Sequence, residues 1–140
     1  MDTCFSNLKE LFASAYPHSY DQQEMAAHFL RYRRLMAHWH SQLPGRILDV
    51  NYAELVAAPD QVARKVLEYC GLILQQGVTS IESRAGKVAT ASTLQMREPI
   101  HQRYVGQWRR YGQWLAPLHE ALAIGGLTDL DRFDNAGVPA

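Results

Sequence analysis

Residues 84–110 concentrate cationic chemistry: Arg84, Lys87, Arg97, Arg103, Arg109 and Arg110 stand against the single carboxylate of Glu98, a local net of +5. Because the 14 Lys+Arg and 14 Asp+Glu of the whole chain cancel, the remainder sums to −5. No global field therefore draws the protein to nucleic acid or to an anionic membrane, whereas this segment could neutralise the phosphates of a small anionic ligand. A solvated basic face is the other reading of the same residues.

The remaining reactive side chains form no self-contained catalytic set. His18, His28, His38, His40, His101 and His119 are scattered. His38 and His40, two residues apart, fall on different faces of a helix, which suits surface positions better than a zinc site. No G-x-x-x-x-G-K-[ST], G-x-G-x-x-G or G-x-S-x-G motif is present, so the serines have no nucleophile elbow. Cys4 and Cys70 are too few for a disulfide scaffold and lack metal-ligand spacing, which makes a reducing cytoplasm the expected compartment.

These residues must be positioned by few elements. At roughly 100–200 residues per domain, a 140-residue chain with 47% apolar and 20% charged residues is one domain with a real core. No apolar run is long enough to span a membrane, and Asp2, Lys9 and Glu10 interrupt the N-terminal stretch that a secretory signal would need. That stretch reads instead as an amphipathic helix, Asp2 to about Ala15, with Phe5, Leu8, Leu11 and Phe12 at helical spacing and a break near Pro17. Met25, Phe29, Tyr32, Leu35 or Met36, and Trp39 predict a long helix over Asp21 to Gln42, ended by Leu43, Pro44 and Gly45. Arg46 to Tyr52 (RILDVNY) predicts a short strand, the one clear strand of the chain. Pro59 and Asp60 suit the first turn of a further helix whose buried stripe, Val62, Val66, Leu67 and Cys70, runs to Gly71. Glycine, serine and threonine weaken the pattern from Leu72 to Thr93. Short helices follow at His101 to Tyr111 and Trp114 to Ala123, and residues 125–140 read as a flexible tail. A lone apolar strand cannot satisfy its backbone without neighbours, so RILDV implies a parallel sheet whose other strands are missing and an exposed strand edge that could recruit a second copy.

An ordered set of motifs stands above this background: DTCFS at the N-terminus, YRRLMAHW at 32–39, LPGRILDVNYAELV at 43–56, PDQVARKVLEYCGL at 59–72, and VATASTLQMREPI followed by VGQWRRY between 88 and 111. In this order and spacing the chain, from about Asp2 to Leu122, resembles the C-terminal half of the sulfotransferases that use 3′-phosphoadenosine 5′-phosphosulfate (PAPS). The nearest likeness is to the bacterial tetratricopeptide-associated group and the related tyrosylprotein sulfotransferases. The resemblance implies an α/β class, a partial P-loop-like nucleotide-binding fold, mostly helical, with the strand near 46–52 and the rest of the sheet absent. Residues 1–124 would be the C-terminal part of that domain.

What the resemblance implies for individual residues is as follows. Ser6 matches a helical serine that holds the donor's 3′-phosphate, and its partner arginine would lie two residues before Met1. Tyr52, in Tyr52-Ala53-Glu54-Leu55, matches the strand-closing tyrosine that contacts adenine. Ser92, Thr93, Leu94, Gln95, Met96 and Arg97 match the loop that wraps the nucleotide. Ser92 would hydrogen-bond sulfuryl oxygens that gain charge during transfer, and Arg97 would bring a cation to the phosphates. Two positions depart from the pattern: Gln107 stands where the family tends to carry lysine or arginine, and Ala89 where bacterial relatives often have arginine. Trp108 reads as a packing residue.

Sulfuryl transfer proceeds by in-line attack of an acceptor oxygen while a base takes its proton, and cations and amide donors stabilise the departing oxygen. No metal is implied. The phosphosulfate loop and the base of such enzymes lie upstream of anything in this sequence. The expectation is thus the nucleotide-side portion of a sulfotransferase, inactive on its own, with PAPS as donor and an unspecified hydroxyl acceptor. The alternative is a non-catalytic helical remnant of that fold which binds a nucleotide or another protein.

Overall fold

A computed structural model describes residues 1–13, 15–73 and 99–127. Its α-helices are α1 (Asp2–Lys9), α2 (Gln22–Gln42), α3 (Tyr52–Ala57), α4 (Pro59–Tyr69) and α5 (Ala116–Ile124), with 3₁₀ helices at Pro17–Tyr20 and Gln107–Tyr111. The chain divides into two units, Met1–Asp49 with Tyr104–Ala140, and Val50–Arg103.

In the first unit α2 is the spine. Asp21 caps it by accepting the Gln23 and Glu24 N–H groups at 2.8 and 2.9 Å, which satisfies two of the donors that a helix start leaves orphaned. The N-terminal part of α2 then buries Met25 and Ala26 against Cys4 and Phe5 of α1, Leu118 and Leu122 of α5, and the flanking Met1, Leu115 and Leu127. Gln22 fixes the start of α5 with one amide. Its Nε2 donates to the Trp114 carbonyl at 2.9 Å and its Oε1 accepts the Leu118 N–H at 3.2 Å. The end of α5 is equally defined. Gly126, at φ +95°, lets the Gly126 and Leu127 amides reach back to the Ala123 and Leu122 carbonyls, a left-handed helix stop that returns Leu127 to the core. The remainder of the expected tail, from residue 128, lies outside the described residues.

In the second unit, Asn51 caps α3 by accepting the Glu54 N–H at 3.1 Å, and α3 packs on α4. Two expectations fail here or at its border. Residues 46–50 run as irregular chain and no strand forms among the described residues. Among the described residues this apolar run has no extended neighbour to complete its backbone hydrogen bonds, and the Asn51 cap turns the chain directly into a helix. The strand edge expected to recruit a second copy is accordingly not formed among these residues. Cys70 is exposed rather than in a core, because it follows the last turn of α4, a helix with no fully buried residue. No helix among the described residues is long and apolar enough to cross a membrane.

Candidate functional site

Helix α1 presents two faces. Cys4 and Phe5 enter the core, while Thr3, Ser6 and Lys9 are exposed. Their spacing of three places them in one stripe, with neighbouring Cβ atoms about 5–6 Å apart. The helix is fixed against the segment that carries the second 3₁₀ helix. Asp2 Oδ2 accepts the Gly106 N–H at 2.6 Å, Phe5 stacks on Tyr111 with centroids 5.0 Å apart, and Lys9 Nζ donates to Gln107 Oε1 at 2.7 Å. The same ammonium lies 4.9 Å from the Phe5 ring and 5.7 Å from the Tyr104 ring. Gly106 takes φ +68°, and a Cβ there would collide with the Arg109 guanidinium, which itself lies 5.0 Å over the Trp108 ring. The left-handed conformation favours glycine here, whereas the flexible arginine end could swing aside from a Cβ.

Of the residues singled out from the sequence, Ser6 is exposed on α1 and Tyr52 is 47% exposed. Tyr52 opens helix α3 instead of closing a strand. The two belong to different units. Ser92, Thr93, Leu94, Gln95, Met96 and Arg97 lie outside the described residues, as do Ala89, Arg84 and Lys87. From the basic segment, Arg103, Arg109 and Arg110 are described and exposed. Trp108 packs against the core, as a structural tryptophan would. Lys9 was not among the residues that motif matching selects; its contact with Gln107, 98 residues away, brings it to the site.

The histidines pair in unexpected ways. His18, on the first 3₁₀ helix, stacks on His28 of α2 with centroids 3.8 Å apart and planes 10° from parallel. Desolvation, then the neighbouring His18 and Arg31 charges, hold the His28 imidazole below its usual pKa of 6.5. His40 Nε2 lies 2.9 Å from Asp49 Oδ2, linking the end of α2 to the chain that follows it. Among the described residues no group of three His, Cys, Asp or Glu side chains is placed to hold a metal ion.

A sequence model of the sulfotransferase family matches residues 1–76. The chain belongs to the sulfotransferase family. The matched range holds Ser6 and Tyr52 and ends before residues 92–97. Over 128 residues the chain is 32% identical to an uncharacterized protein of Aquifex aeolicus (strain VF5), an alignment covering 89% of this chain and 17% of that relative. The chain therefore spans a minor part of the relative's length. No solved structure matches it. Family membership implies a P-loop-like α/β fold, of which the described residues here supply helices.

Proposed function

We propose that this chain is the nucleotide-side portion of a sulfotransferase that uses PAPS. In the complete reaction an acceptor hydroxyl oxygen forms a bond to sulfur as the bridging bond from sulfur to the 5′-phosphate oxygen breaks. The hydroxyl proton passes to a base, and 3′-phosphoadenosine 5′-phosphate leaves. Ser6 is the contact for the 3′-phosphate and Tyr52 the adenine platform. Ser92 donates to the sulfuryl oxygens and, with Thr93, Leu94, Gln95, Met96 and Arg97, forms the loop around the nucleotide. The observation that carries this reading is the family match over residues 1–76, within which Ser6 is exposed and Tyr52 is 47% exposed.

Calorimetric titration of the 140-residue chain with 3′-phosphoadenosine 5′-phosphate tests it. Saturable binding that Ser6→Ala weakens supports the assignment, and absence of binding overturns it. With the phosphosulfate loop and the base expected outside this sequence, the isolated chain transfers no sulfate; robust transfer of labelled sulfate to any hydroxyl acceptor would overturn that part. A second reading, a non-catalytic protein-binding remnant, is favoured by the exposed Tyr32, Leu35 and Trp39 side chains along α2. A tight oligomer or partner complex without nucleotide binding would establish it instead.

A further inference from the structure

The ammonium of Lys9 is held in place without being neutralised. Among the described residues its hydrogen-bond partner is the neutral Gln107 amide, 2.7 Å away, and it also lies 4.9 and 5.7 Å from the Phe5 and Tyr104 rings. Among the described residues no carboxylate stands within 4.0 Å of it as an ion pair. Asp2, the acid at the other end of α1, is engaged with the Gly106 N–H. A lysine usually loses much rotamer freedom on binding a ligand. Here the rings and the amide have already restricted the side chain, so an anion arriving beside it meets a pre-positioned cation. Ser6, one turn earlier on the same exposed stripe of α1, carries a hydroxyl on the same helix face.

We propose that Lys9, positioned by Gln107, is a phosphate-binding cation of this chain and acts with the Ser6 hydroxyl on the 3′-phosphate of the nucleotide. The inference rests on the nucleotide reading given above and adds a residue to it. It also accounts for a departure seen in the sequence: Gln107 carries no charge of its own, and α1 delivers one to its side chain. A compact ammonium with three donors suits a phosphate monoester as a point charge. The rival role is purely structural, Lys9 as a latch between α1 and the Gln107–Tyr111 turn.

The two roles separate when two nucleotides are titrated in parallel, 3′-phosphoadenosine 5′-phosphate and adenosine 5′-phosphate, which lacks the 3′-phosphate. Lys9→Gln removes the charge, and the new amide can still donate to Gln107. A charge-assisted hydrogen bond is worth about 1.5–3 kcal/mol, so the variant should bind the bisphosphate roughly 10-fold to 100-fold more weakly, with binding of adenosine 5′-phosphate unchanged within about twofold. Lys9→Arg should keep most of the discrimination. Gln107→Met leaves the cation but removes the acceptor that aims it, and should lose part of the same preference; it also serves if Lys9→Gln fails to fold. Equal weakening toward both nucleotides, or no change toward either, would show a latch and overturn the proposal. If the parent chain binds neither nucleotide, the nucleotide reading itself falls, and this inference with it.

Discussion

The two halves of α2 carry the same three- and four-residue apolar spacing, yet Met25 and Ala26 are 3% and 1% exposed while Leu35 and Trp39 are 51% and 42% exposed. The first half meets α1 and α5, and it is tied to the start of α5 by both ends of the Gln22 amide. Among the described residues, the contacts of the second half are with itself and with the chain that follows. The His38 and Trp39 rings lie with centroids 5.3 Å apart, and His40 reaches Asp49. Apolar periodicity therefore specifies which side of a helix is able to be covered. Whether it is covered depends on another element arriving there, and that is information carried elsewhere in the chain.

The largest effect should come from breaking the covered half. Leu122 of α5 is fully buried beside Met25 and Ala26, so Leu122→Ala removes core volume that rigid helices cannot refill. The expected loss is about 2–5 kcal/mol, read as a lower denaturant midpoint. A loss below about 1 kcal/mol would mean that α5 does not pack on α2 as described. Gln22→Ala should cost less, about 1–3 kcal/mol, because it leaves the Leu118 N–H and the Trp114 carbonyl without the partner each now has. Gln22→Glu keeps the acceptor for Leu118 but loses the donor to Trp114. It should fall between the parent and the alanine variant in the same measurement.

The same contrast explains what could be read from the amino-acid sequence. Helix α2 was legible almost to the residue, because Asp21, a sustained apolar stripe and the Leu43-Pro44-Gly45 stop all agree. Helix α4 was legible at Pro59 and at Gly71 for the same reason, but the burial of Cys70 was not, since spacing alone does not report a neighbour. The strand at 46–52 failed on similar grounds. Ile47, Leu48 and Val50 have strand-forming side chains, but a strand is a relation between segments, and Asn51 supplies a helix cap at once. In the candidate site, Ser6 and Tyr52 were visible through motif order, whereas Lys9 became visible only through its contact with Gln107, 98 residues away in the chain. Long-range pairs of that kind leave no trace in local pattern.

The smallest effect should come from the uncovered half, and it is the sharpest test of the contrast. Leu35 sits on the apolar stripe, so a reading from periodicity alone would make Leu35→Gln a core substitution costing about 2 kcal/mol or more. Its observed exposure makes it a surface substitution, expected within about 0.5 kcal/mol of the parent in denaturant unfolding of the isolated chain. The outcome also bears on what the stripe is for. A near-neutral Leu35→Gln with an unchanged sedimentation profile describes an uncovered helix face in the isolated chain. A loss near 2 kcal/mol that grows as protein concentration rises would show that a second copy covers Leu35 in solution, because only a concentration-dependent partner makes stability depend on protomer concentration.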